Sequence, residues 1–77
     1  KMVDAAPSAI PKEIADIFRV LRTRIVTRKI TPGTRLREQD LALEFEVSRA
    51  RIREVLVFLE QRELLSRQAN KGVVVRR

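Results

Sequence analysis

Residues 38–62 read EQDLALEFEVSRARIREVLVFLEQR. The second half sets Ile52, Val55, Leu56 and Leu59 at i, i+3, i+4 and i+7, the apolar stripe of one helix face. Ser48 stands where an N-cap is needed, so a helix is predicted from Arg49 to about Arg62. The first half predicts a shorter helix, from about Glu38 to Phe45, burying Leu41, Ala42 and Phe45. Glu38 and Asp40 suit its N-terminus, where the helix dipole favours acids. Val47 and Ser48 mark a tight turn between the two. Two short amphipathic helices about three residues apart form a helix-turn-helix, here over about residues 38–57.

Upstream, Ile14, Ile17, Phe18, Leu21 and Ile25 trace another helical face. Pro11 suits its first position, since proline has no N–H to leave unpaired there. Arg24, Arg28 and Lys29 fall near its end. Pro32-Gly33 signals a turn, and Thr34-Arg35-Leu36 reads as a short edge strand. Residues 1–11 show no periodicity and carry Pro7 and Pro11; they read as a disordered lead-in. Downstream the period changes. Leu64 to Gln68 and Val73 to Val75 are strand-like around the turn-forming Ala69-Asn70-Lys71-Gly72, a hairpin over about residues 64–76. The expected fold is mainly α with a small β-hairpin, an α+β winged helix-turn-helix over residues 12–77. Its expected order is helix, short strand, helix, helix and two hairpin strands.

Composition narrows the function. Seventeen Lys and Arg against ten Asp and Glu give a net charge of +7, which favours polyanions. The chain has no His and no Cys, which removes the usual metal ligands and acid–base groups, and its two glycines form no phosphate loop. Ser8, Ser48 and Ser66 have no base nearby in sequence, so no enzyme and no cofactor is expected in this chain. No apolar run approaches the roughly 20 residues that span a bilayer, and no signal peptide is legible, so a soluble cytoplasmic protein without membrane contact is expected.

The charges on the third helix point to one polyanion. Arg49 and Arg53 share a flank one turn apart, Ala50 faces away from the core, and Arg51 lies on the opposite flank. Three arginines at a helix N-terminus oppose the dipole, and a docked polyanion reverses that cost. Arginine reads guanine O6 and N7 through two parallel hydrogen bonds, and a small Ala50 allows close approach to a groove floor. The rival reading is that Glu46 and Glu54 neutralise these arginines as surface ion pairs. At the hairpin tip, Asn70 and Lys71, with Arg67 on the strand, form a second basic contact. Arg19, Arg22, Arg24 and Arg28 read mostly as a solvated face of the first helix, and Val57 and Phe58 as the edge of the core.

From Ile25 to Val75 the chain resembles the N-terminal domain of the GntR family of bacterial regulators. The resemblance lies in Ile30-Thr31-Pro32-Gly33-Thr34-Arg35-Leu36, Glu38 with Leu41-Ala42, and Val47-Ser48-Arg49. It continues through Arg53-Glu54-Val55-Leu56, Leu59-Glu60, Leu64-Leu65 and Asn70-Lys71-Gly72-Val73-Val74-Val75. It implies that Ser48, Arg49, Ala50, Arg51 and Arg53 face DNA, that Arg37 and Gln39 lie near phosphates, and that Asn70, Lys71 and Gly72 form a wing tip in the minor groove. The Leu36-Arg37-Glu38 start is similar to the FadR-like branch, whose C-terminal domain binds small acids, often with a metal ion, and dimerises. The chain departs from the family where Arg28, Glu46 and Glu63 stand in place of common glycines, and where Ala50-Arg51 replaces a frequent Thr-Pro. The expected function is therefore sequence-specific binding of a palindromic double-stranded operator, at the nucleoid, by a ligand-responsive regulator. Such a regulator is expected to be a homodimer at full length and a monomer as these residues alone. The alternative is a winged-helix protein-interaction module whose basic face meets an acidic partner.

Overall fold

The computed structural model describes residues 10–77. Three helices, α1 (Ile14–Val26), α2 (Glu38–Phe45) and α3 (Arg49–Gln61), precede an antiparallel hairpin of β1 (Leu65–Gln68) and β2 (Gly72–Val75). The architecture is the winged helix-turn-helix anticipated above. Of the lead-in expected to be disordered, residues 1–9 lie outside the described residues, and Ile10 and Pro11 belong to no helix or strand.

Each helix buries the stripe that its sequence predicts. Ile17, Leu21 and Ile25 of α1 meet Ile52, Val55, Leu56 and Leu59 of α3, with Leu41, Ala42 and Phe45 of α2 completing the same core. Ile14 and Phe18 are only partly buried. Leu65, Val73 and Val75 close the core from the hairpin side. Aliphatic burial of this kind stabilises by roughly 1.5–3 kcal/mol per large side chain, which suffices for a domain this small only because the core is continuous.

Two expectations need correction. Helix α1 begins at Ile14, with Glu13 as N-cap, so Pro11 does not occupy its first position. Glu13 is extended, at φ -77 and ψ 145, so Pro11 and Lys12 lead into the helix without forming part of it. At the other end α1 stops at Val26, and Arg28 lies beyond it with φ 65. The second correction concerns Thr34-Arg35-Leu36, which forms a single bridge, Arg35 with Val74, and not a strand. The pairing is nonetheless real. Gly33 N–H donates to Val75 O at 2.8 Å, Val75 N–H to Thr34 O at 2.9 Å, and Leu36 N–H to Val73 O at 2.9 Å. Entry into α2 at Glu38 cuts the run short.

Arg28, Glu46 and Glu63, the three residues noted above as departures from the resemblance, adopt φ of 65, 57 and 63. Each follows a helix. The Arg28 N–H donates to Ile25 O, the Val47 N–H beside Glu46 to Ala42 O, and the Glu63 N–H to Glu60 O. The left-handed turn that satisfies helix-end carbonyls is thus kept, with a Cβ in a region that disfavours one.

Candidate nucleic-acid interface

Ser48 fixes where α3 begins. Its φ and ψ are extended, and its Oγ accepts the Arg51 N–H at 3.1 Å, satisfying one of the free donors of the first turn. With Ile52 and Val55 fully buried, Arg49, Ala50, Arg51 and Arg53 must project outward, and all four are exposed. No acidic residue lies in this first turn.

The acid that meets these arginines comes from α2. Glu38 accepts from Arg53 Nε and Nη2, each at 3.0 Å, and lies 3.7 Å from Arg49 Nη2. The hydrogen bonds from Arg53 hold the Glu38 carboxyl below the usual carboxylate range, and they push the Arg53 guanidinium above its own. Both arginines stay open to solvent, at 62% and 58% exposure of their side chains. The rival pairing is not what the structure holds. Glu46 pairs with Lys12 at 3.4 Å, and among the described residues Glu54 has no ion pair.

Arg37 and Gln39 flank Glu38 at the start of α2, and both are exposed. They line an open groove between α2 and the hairpin, shared with Arg35, Arg49, Arg67 and Gly72. Arg35 lies over Gly72, where an added Cβ would meet its Nε at 3.6 Å. Arg67 also pairs with Glu60 at 3.2 Å. Of the expected site residues, the structure therefore brings together Arg37, Gln39, Arg49 and Gly72, with Arg53 joined through Glu38.

Other expected residues point elsewhere. Arg51 donates to the Lys12 carbonyl at 3.0 Å, on the flank toward the chain before α1. Lys71 and Asn70 are exposed at the hairpin tip, where Lys71 N–H closes a turn on Gln68 O at 3.1 Å. Asn70, at φ 68, takes the third place of that turn, which asparagine tolerates better than most residues. Lys71 borders a groove on the side of Gln68, Arg76 and Arg77. Sequence reasoning missed Arg35, Arg67 as a groove residue, and Glu38 as the partner of Arg53. Alternation with buried Leu36 could have shown that Arg35 faces outward; Glu38 leaves no local signal, because its partner lies 15 positions away.

The arginines of α1 are mostly solvated, as expected. Arg19 pairs with Asp16 and stays exposed, whereas Arg24, half-buried, pairs with Glu44 and lies 5.6 Å from the centre of the Phe45 ring, tying α1 to α2. Phe58, expected at the core edge, is 46% exposed and borders a shallow groove with Ile14, Phe18 and Arg62 of the α1–α3 face.

Comparison with known proteins adds a family. A model described as bacterial regulatory proteins, gntR family, matches residues 13–75. The chain is 37% identical over 59 residues to the HTH-type transcriptional repressor RspR of Escherichia coli K12, covering 77% of the chain and 26% of RspR. It is 33% identical over 73 residues to the uncharacterized HTH-type transcriptional regulator YdfH of Escherichia coli O6:H1, covering 95% of the chain and 32% of YdfH. A GntR family member from Pseudomonas syringae pv. tomato superposes with a TM-score of 0.80 at 36% identity, over 91% of this chain and 32% of that one. The AraR DNA-binding domain, solved in complex with operator ORX1, superposes with a TM-score of 0.72 at 28% identity, over 80% of this chain and 76% of that one. The chain spans about a third or less of the curated relatives it matches.

Proposed function

The chain belongs to the GntR family of bacterial regulatory proteins, and on that premise we propose that it reads operator DNA for a ligand-responsive transcription regulator. In this reading α3 enters the major groove, the β1–β2 tip reaches the minor groove, and Arg37 and Gln39 meet phosphates. The observation that carries it is the open N-terminal end of α3, where Arg49, Arg51 and Arg53 are exposed and Arg49 lines the same groove as Arg35, Arg37 and Arg67. A structural neighbour of the same fold was solved on its operator, which supports the docking.

The regulator acts as a two-fold pair on a palindromic site, with half-sites set by the protein symmetry. Its effector is a small acid, often bound with a metal ion, as in the FadR-like branch. The present residues do not fit that role. The chain has no His or Cys, and among the described residues no group of three or more carboxylates could hold a metal. In this reading the effector site lies in another part of the regulator. A mobility-shift assay of the chain on a randomised duplex pool, at physiological salt, tests the reading. Retardation with enrichment of a common motif is expected; no retardation of any duplex contradicts it and favours an acidic protein partner.

A further inference from the structure

Glu38 opens α2, yet its carboxylate faces α3 across the helix-turn-helix. Arg53 grips it through Nε and Nη2, both at 3.0 Å, and Arg49 stands 3.7 Å away. We propose that Glu38 is a positioning residue for base selection: it presents the free edge of Arg53 to a guanine and keeps Arg53 and Arg49 from being captured by phosphates. The proposal rests on the DNA-reading function above.

The geometry of the guanidinium carries the argument. Its five N–H donors form a rigid fork, of which Glu38 occupies the Nε donor and one on Nη2. Both Nη1 donors and the second Nη2 donor stay free. They form the outer edge, whose parallel pair matches guanine O6 and N7. Held at one edge, Arg53 has little rotamer freedom left to lose when the other edge meets a base. An unheld arginine at the same place is a mobile cation, equally served by any phosphate along the duplex.

Electrostatics acts in the same direction. One carboxylate between two guanidinium groups lowers the local charge, and with it the sequence-independent attraction to the DNA backbone. Neutral base acceptors lose less by that reduction than phosphates do. Discrimination therefore rises while bulk affinity falls. A role in stability alone does not explain the arrangement, because exposed pairs such as this one contribute little to folding.

The test uses the chain with Glu38→Gln, which keeps side-chain shape and removes the charge, and with Glu38→Asp, which keeps the charge and shortens the reach. Binding is measured on a duplex selected by the wild-type chain from a pool randomised over about two helical turns, and on poly(dA-dT), which lacks guanine O6. For Glu38→Gln the expected results are several-fold tighter binding to poly(dA-dT), a salt dependence steeper by about one unit, and a selected-to-bulk ratio lower by about tenfold. Glu38→Asp is expected to bind poly(dA-dT) as wild type does while losing discrimination on the selected duplex. A Gln variant with unchanged ratio and salt dependence overturns the proposal alone. So does a parallel loss of binding to both duplexes together with a lower melting temperature. A wild-type chain that binds neither duplex overturns the DNA-reading function and this proposal with it.

Discussion

The amide of Leu36 donates to the carbonyl of Val73 at 2.9 Å, joining the residues that lead into α2 to the second strand of the wing. Leu36 is buried, so its neighbours Arg35 and Arg37 are turned outward on either side of it. Two further backbone bonds, from Gly33 to Val75 and from Val75 to Thr34, complete the join. The hairpin and the start of α2 are thus one body, and the basic groove between them is set by backbone hydrogen bonds more than by rotamers.

Because the wing is held in this way, Lys71 is expected to act as a fixed point charge and not as a reader of sequence. Lys71→Ala should weaken binding to all duplexes alike and flatten the log–log salt dependence by about one unit. Titration at several salt concentrations measures it. A change in motif preference would contradict the assignment.

Arg53 and Arg49 are the base-reading candidates. Arg53→Ala or Arg49→Ala is expected to cost about 1–3 kcal/mol on the preferred duplex and to relax the choice of base at one position. Quantitative mobility shift on single-base variants of that duplex reports both effects. Alanine variants that bind as tightly as wild type mean that α3 docks differently.

Ser48 is expected to matter for the fold itself. Loss of the hydrogen bond from the Arg51 N–H in Ser48→Ala should cost about 0.5–2 kcal/mol, whereas Ser48→Gly should cost only a few tenths. Chemical denaturation followed by far-ultraviolet circular dichroism separates the two.

Glu63 offers a gain. At φ 63 its Cβ is disfavoured by about 1–2 kcal/mol, and glycine there also adds freedom to the unfolded chain, which offsets part of the relief. Glu63→Gly is expected to stabilise by up to about 1 kcal/mol net, and Glu63→Ala not at all. Thermal melting of the two variants beside wild type checks the contrast.

Acid should undo the Glu38 pair. Its folded pKa is depressed by Arg53, so the stabilisation is fully present above the unfolded carboxyl value of about 4.3 and is lost as pH falls through the folded value. The pair is exposed, so its contribution is at most about 1 kcal/mol. The stability difference between wild type and Glu38→Gln, measured by urea unfolding at about pH 7 and about pH 3, should shrink toward zero at the lower pH. A difference that persists there assigns the effect to shape.

Where contacts are local and periodic, the sequence spoke clearly. The stripe Ile52, Val55, Leu56, Leu59 is buried as its spacing requires, and Ser48 caps α3 through the donor expected of an N-cap. The switch of period after Leu64 marks the hairpin, whose register pairs Leu65 with Val75 and Gln68 with Gly72. Pro11 misled because a residue that suits a helix start does not fix where the helix begins; the extended backbone of Glu13 does. Thr34-Arg35-Leu36 reads as extended and does pair, but its extent, a single bridge, depends on a partner some 40 residues away and on where α2 begins, which a three-residue window does not hold. The site divides in the same manner. The outward arginines of α3 follow from its stripe, whereas the contact of Glu38 with Arg53 depends on how α2 crosses α3, which no spacing encodes.

Methylation interference at guanine N7 probes the docking of α3, because that atom lies in the major groove and is one of the two acceptors assigned to arginine. The selected duplex, lightly methylated, is partitioned on the wild-type chain and on Arg53→Ala. Methylation of one guanine in each half-site is expected to exclude the duplex from the wild-type complex and to lose that effect in Arg53→Ala. Uniform tolerance of N7 methylation by the wild-type chain, with binding intact, would contradict the placing of α3 in the major groove.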